Sequence, residues 1–65
     1  MNLVVNGETM AFNGDTIADL LEQLSLTGRR LAVEVNQQII PRSEHAQYSL
    51  SADDRIEIVH AIGGG

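Results

Sequence analysis

Few residues in this chain could do chemistry, and the most unusual group sits at one end. Three successive glycines, Gly63-Gly64-Gly65, close the 65-residue sequence. At a background glycine frequency of about 7%, such a run at one defined position arises in roughly 3 of 10,000 chains. Glycine has the most backbone entropy to lose and no side chain to pack, so the run is expected to be a flexible tail. It can extend about 10 Å, at ~3.3 to 3.6 Å per residue. Such a stalk could carry the Gly65 carboxylate into a partner channel too narrow for any Cβ. A carboxylate only accepts hydrogen bonds and is a poor electrophile, so it needs activation. Adenylation by a partner enzyme using ATP would supply that, and a nucleophile could then displace AMP. A lysine nitrogen would make the chain a protein modifier; a sulfur nucleophile would make it a thiocarboxylate and a sulfur donor.

The other candidates have plainer readings. Ser43, Glu44 and His45 are the letters of a hydrolytic triad, but they share one short turn, whereas a triad draws its members from separate elements around an oxyanion site. Asp53-Asp54 reads as a polar turn before a strand rather than as paired catalytic carboxylates. His60 is in phase with Ile56 and Ile58 and reads as a strand-end residue rather than a ligand or base. Pro41-Arg42 reads first as a bulge with an exposed cation. No metal site is expected, because there is no Cys and the two His are far apart in the chain.

Composition narrows the classes further. The four Arg stand against nine Asp and Glu, for a formal charge of −5, and there is no Lys. That balance argues against nucleic acid and anionic lipid as partners. A chain this short makes one domain, and a ligand pocket of ~300 Å³ or more would hollow out much of its only core. The expectation is a protein that is not an enzyme and binds no cofactor itself. No charged leader precedes an apolar run, and no stretch approaches the ~18 apolar residues of a membrane span, which leads us to expect a cytoplasmic location.

The elements that must position the tail follow from periodicity. Met1, Leu3 and Val5 alternate, Asn6-Gly7 supplies hairpin turn chemistry, and Met10 and Phe12 return on the same apolar side. Thr16 followed by Asp19 resembles a capping box. Ile17, Leu20, Leu21 and Leu24 then form one stripe of a helix, which Gly28 is expected to end. Leu31, Val33 and Val35 alternate as a half-buried strand, Ile39-Ile40 is a short extended piece that Pro41 confines to an edge or bulge, and Ser43 to Gln47 is an irregular turn. Tyr48 and Leu50 precede the turn Ala52-Asp53-Asp54, and Arg55 to Val59 is the last strand. A hairpin, one helix and returning strands bury both apolar faces only by laying the helix across one side of a mixed sheet. The fold class is therefore α+β, a β-grasp over residues 1–62 with residues 63–65 as the tail, and the right-handed crossover rule brings a later strand parallel beside the first.

The whole chain resembles the sulfur carrier proteins of thiamine biosynthesis, the ThiS family. The resemblance rests on the size, the element order, the helix stretch from Thr16 to Leu24, the segment Val35-Asn36-Gln37-Gln38-Ile39-Ile40-Pro41-Arg42 and the ending Ala61-Ile62-Gly63-Gly64-Gly65. It implies a ubiquitin-like fold and a ThiF-like adenylyltransferase as the activating, ATP-using partner. It also implies sulfur from a cysteine desulfurase or related donor, and delivery to thiazole synthase. By the same resemblance Gly65 is the covalent adenylate and thiocarboxylate site, with Gly63 and Gly64 as the tail that enters partner active sites. The Gly-Gly ending is shared with ubiquitin and with the small subunit of molybdopterin synthase, so a protein modifier and another sulfur carrier stay open, as does a plain interaction module. Partner docking is expected on the sheet face opposite the helix, where Val4, Glu34, Glu57 and Val59 form an aliphatic patch rimmed by acids, with Ile62 beside them at the root of the tail.

Overall fold

Asn6 and Gly7 both take positive φ, 49° and 83°, the requirement of a two-residue hairpin turn whose twist matches its strands. They join β1 (Asn2–Val5) to β2 (Glu8–Ala11), with Leu3 opposite Met10 and Val5 opposite Glu8. This computed structural model describes residues 1–60. Leu3 and Phe12 enter the core. Met1, expected on the same face, is half exposed at 49% because it precedes the strand, and its backbone bonds to that of Phe12.

A close approach prepares the helix. A Cβ on Gly14 would come within 2.8 Å of the Asp19 Cβ and 2.9 Å of the Phe12 ring, so only glycine lets the chain pass there. Thr16 caps α1 (Ile17–Gln23), accepting from the Asp19 amide at 3.3 Å while Asp19 Oδ2 accepts from the Thr16 amide at 3.0 Å and the Asp15 amide at 2.9 Å. These bonds, Thr16 first and Asp15 second, hold the Asp19 carboxyl below its ordinary pKa. The helix ends earlier than Gly28 suggested. Ser25 takes φ 60°, its amide bonds to the Glu22 carbonyl at 3.0 Å and the Leu26 amide to the Leu21 carbonyl at 2.7 Å. That pairing is a Schellman motif with serine in the left-handed position glycine usually fills; Gly28, at φ 83°, serves a second turn.

Strand β3 (Leu31–Val35) turns through Asn36 and Gln37, both at positive φ, into β4 (Gln38–Ile40). The short piece expected at Ile39-Ile40 is thus the second arm of a tight hairpin that lacks glycine. Asn36 holds the turn by accepting from the Arg55 amide at 3.0 Å and donating to Asp54 Oδ1 at 3.0 Å. A 3₁₀ helix over Arg42–Glu44 replaces the expected irregular turn, and β5 (Arg55–His60) completes the sheet.

The sheet order is β2-β1-β5-β3-β4, with β1 and β5 parallel and the other neighbours antiparallel. Asn6 lengthens the parallel seam: its Oδ1 accepts from the Ile58 amide at 2.8 Å and its Nδ2 donates to the Ile58 carbonyl at 3.3 Å. Ile17, Leu20 and Leu21 of α1 join Leu3, Val33, Val35, Ile56 and Ile58 in one core. A seven-residue helix is marginal alone and is held by this packing. The expected β-grasp is therefore the observed fold, a mixed five-stranded sheet with one helix across it.

Candidate functional site

The pleat decides what faces the core and what does not. In β5, Ile56 and Ile58 point to the helix side and are buried, while Arg55, Glu57 and Val59 are exposed. Register then places their neighbours. Ala32 lies opposite Val59, Glu34 opposite Glu57, and Ile39 opposite Glu34 on its other side. Across the parallel seam Val4 lies opposite Arg55, with Thr9 beyond it. Val4, Glu34, Glu57 and Val59 thus share the face away from the helix, as alternation predicted.

Their arrangement differs from one aliphatic patch with an acidic rim. Val59 and Val4 are separated by the Glu57 and Arg55 levels, about 13 Å along the strand at ~3.3 Å per residue. The acids lie between two aliphatic spots rather than around one. The larger spot is Val59, 57% exposed, with Ala32 beside it and Ile39, 68% exposed, across Glu34. Ile39 and Ala32 were missed by the sequence reading. Ile39 is the alternation partner of buried Ile40, a signal visible only once the Asn36-Gln37 turn is known to start a strand.

Glu34 and Glu57 are directly paired across an antiparallel ladder. Like charges in that position repel, at about 0.2 to 1 kcal/mol. A cation placed between them by a partner would turn the repulsion into attraction, so this face suits a surface that offers basic groups around an apolar contact.

The other candidates resolve locally. His45 is buried, with Nε2 3.0 Å from the Ile40 carbonyl, while Ser43 and Glu44 are exposed on the 3₁₀ turn. That ring is a structural residue, which the polar letters around it concealed. Asp54 closes its turn by accepting from the Ser51 amide at 2.8 Å, and Asp53 sits at φ 69°. His60 is exposed at the end of β5, lining a cleft of about 450 Å³ with Met10, Leu24 and Leu26. Among the described residues no three His, Asp or Glu side chains come together to hold a metal ion. Ile62, Gly63, Gly64 and Gly65 lie outside the described residues.

Comparison with known proteins gives this geometry a context. The family model described as the ThiS family matches residues 3–65. The chain is 36% identical over 66 residues to the sulfur carrier protein ThiS of Escherichia coli, covering 100% of both chains. It is 44% identical over 66 residues to a thiazole synthase of Paramagnetospirillum magneticum, where 100% of this chain corresponds to 20% of that protein. The chain therefore spans about a fifth of the length of the thiazole synthase relatives it matches. The crystal structure of the thiamine biosynthesis protein ThiS from Geobacter metallireducens matches with a TM-score of 0.85 at 28% identity, over 100% of both chains.

Proposed function

The chain belongs to the ThiS family, and from that premise we propose that it is a sulfur carrier of thiamine biosynthesis, a protein co-substrate with no catalysis of its own. The observation that carries this reading is the end-to-end similarity to a protein named as a sulfur carrier. The similarity to a segment of proteins named thiazole synthase supports thiazole synthase as the recipient.

The chemistry lies at Gly65. A ThiF-like adenylyltransferase brings the carboxylate to the α-phosphate of ATP; pyrophosphate leaves and an acyl-adenylate forms. A sulfur nucleophile, delivered by a cysteine desulfurase or another donor, attacks the acyl carbon and expels AMP. Cleavage of any remaining sulfur–sulfur bond by a thiol leaves the thiocarboxylate. Thiazole synthase then receives the sulfur. Gly63 and Gly64 let the end thread into both active sites, because a chain without Cβ atoms is narrow and takes backbone angles other residues resist. Val4, Glu34, Glu57 and Val59, with Ile39 added, form the face on which the activating enzyme docks, and the aliphatic Ile62 is assigned to the same contact by its place in the sequence. ATP belongs to that enzyme. The cytoplasm is where we place the exchange; among the described residues no helix is long and apolar enough to cross a membrane.

Removing Gly64 and Gly65 tests the reading. The shortened chain should keep the circular dichroism and melting temperature of the full one, yet support no thiazole formation in a reconstituted mixture of adenylating enzyme, sulfur donor and thiazole synthase. Undiminished thiazole formation would mean that the sheet face, not the end of the chain, carries the function.

A further inference from the structure

On the helix side of the sheet a cavity of about 230 Å³ opens between α1, the α1–β3 loop and the 3₁₀ turn. Its floor is Leu21, Leu26 and Leu31, and its lining includes Arg29 and Arg42, both exposed. Leu31 is the register partner of His60, so the cavity lies beside the end of β5. His45, 7% exposed, also lines it. The Ile40 carbonyl 3.0 Å from His45 Nε2 can only accept, so Nε2 carries the proton and donates. No buried side-chain nitrogen or oxygen among the described residues lacks a partner. Among the described residues no protein group bonds Nδ1 of this ring, and the ring forms part of the cavity wall.

Size and charge together select an occupant. Sites for whole small molecules begin at about 300 Å³, and this cavity is smaller, matched instead to one large aliphatic or aromatic side chain. The chain has only four cationic side chains against nine carboxylates, yet two of the four border this one apolar floor. We infer that the cavity is a docking pocket for an acidic partner segment in which one leucine- or phenylalanine-type side chain is flanked by Asp or Glu. The apolar side chain covers Leu21, Leu26 and Leu31. Flanking carboxylates accept from the Arg29 and Arg42 guanidinium groups, which suit them as planar two-pronged donors. This surface is opposite in charge preference to the Glu34 and Glu57 face and lies on the other side of the sheet, so the two can be occupied by different partners.

Amide ¹H–¹⁵N spectra of the full 65-residue chain, titrated with the peptide acetyl-Asp-Glu-Leu-Glu-Asp-amide, test the pocket. Saturable shifts should concentrate at Thr27, Gly28, Arg29 and Ala46. The same peptide with serine in place of leucine, and the Arg29→Ala, Arg42→Ala double variant with the original peptide, should each bind roughly fivefold more weakly or worse. Both arginines are exposed, so the variant's unchanged shifts elsewhere report its fold. Absence of saturable shifts at those amides, equal binding of the serine peptide, equal binding by the double variant, or shifts centred on Glu34 and Glu57 would each overturn the proposal. The titration uses neither ATP nor sulfur, so its outcome and that of the Gly65 chemistry are independent.

Discussion

At the scale of single residues, Asp19 has the most exact task among the described side chains. One carboxylate oxygen accepts two backbone amides, from Thr16 and Asp15, at the start of a helix too short to stand alone. Those bonds depress its pKa. A carboxyl whose folded pKa is depressed stabilises the fold above its unfolded pKa, about 3.9, and loses that contribution as pH falls through the folded value. Asp19→Asn should therefore be less stable than the parent at pH 7, and the gap should shrink as pH falls below about 4. Urea midpoints at several pH values measure this; a gap independent of pH would mean the charge is idle. The capping box was legible from Thr16 and Asp19 alone, because the spacing is local. His45 was not: Ser43, Glu44, Ala46 and Gln47 around it are all exposed, and no short-range pattern marks a ring buried by its bond to Ile40.

At the scale of elements, the two hairpins show where local signals stop. Asn6-Gly7 announces its turn because glycine takes positive φ freely. Asn36-Gln37 makes the same kind of turn with glutamine at φ 70°, a conformation that costs an ordinary residue about 1 to 2 kcal/mol, and the sequence hides it. Gln37→Gly should then stabilise the domain, by about 0.5 kcal/mol after the added freedom of the unfolded chain is subtracted, read as a rise of a few degrees in melting temperature. A fall would show that the Gln37 side chain holds the turn in some other way. The helix end was misplaced for a related reason, since Ser25 rather than a glycine fills the left-handed position of its cap. Alternation, by contrast, put Val4, Glu34, Glu57 and Val59 on one face; Ile39 was missed because β4 was not recognised as an arm of a hairpin. The pairing of Glu34 with Glu57 yields an opposed pair of effects. Glu57→Gln should raise stability by about 0.2 to 1 kcal/mol and slow association with the adenylating partner, with a weaker dependence on salt. Stopped-flow association alongside urea unfolding separates the two, and an unchanged association rate would remove these acids from the docking face.

At the scale of the whole molecule, the parallel pairing of β1 with β5 sends the two ends of the sheet apart. Met1 lies at the edge where β5 begins, its amine donating to the Phe12 carbonyl at 3.2 Å, and His60 lies at the opposite edge. With no Cys and no Lys in the sequence, these 65 residues supply no thiol or lysine amine that could attack the end of the chain if it is activated as proposed. On the function proposed above, the domain offers one reactive group for other enzymes to surround. Charge adds direction, since a chain of net −5 gathers acids on one face of its sheet and two arginines around a cavity on the other. The most direct measurement is the intact mass of the chain after incubation with ATP, a ThiF-like adenylyltransferase and a cysteine desulfurase with cysteine. The account predicts a gain equal to replacing one oxygen by sulfur, localised by fragmentation to Gly65 and absent when ATP is withheld. An unchanged mass with active partner enzymes, or sulfur found at any other residue, would contradict it.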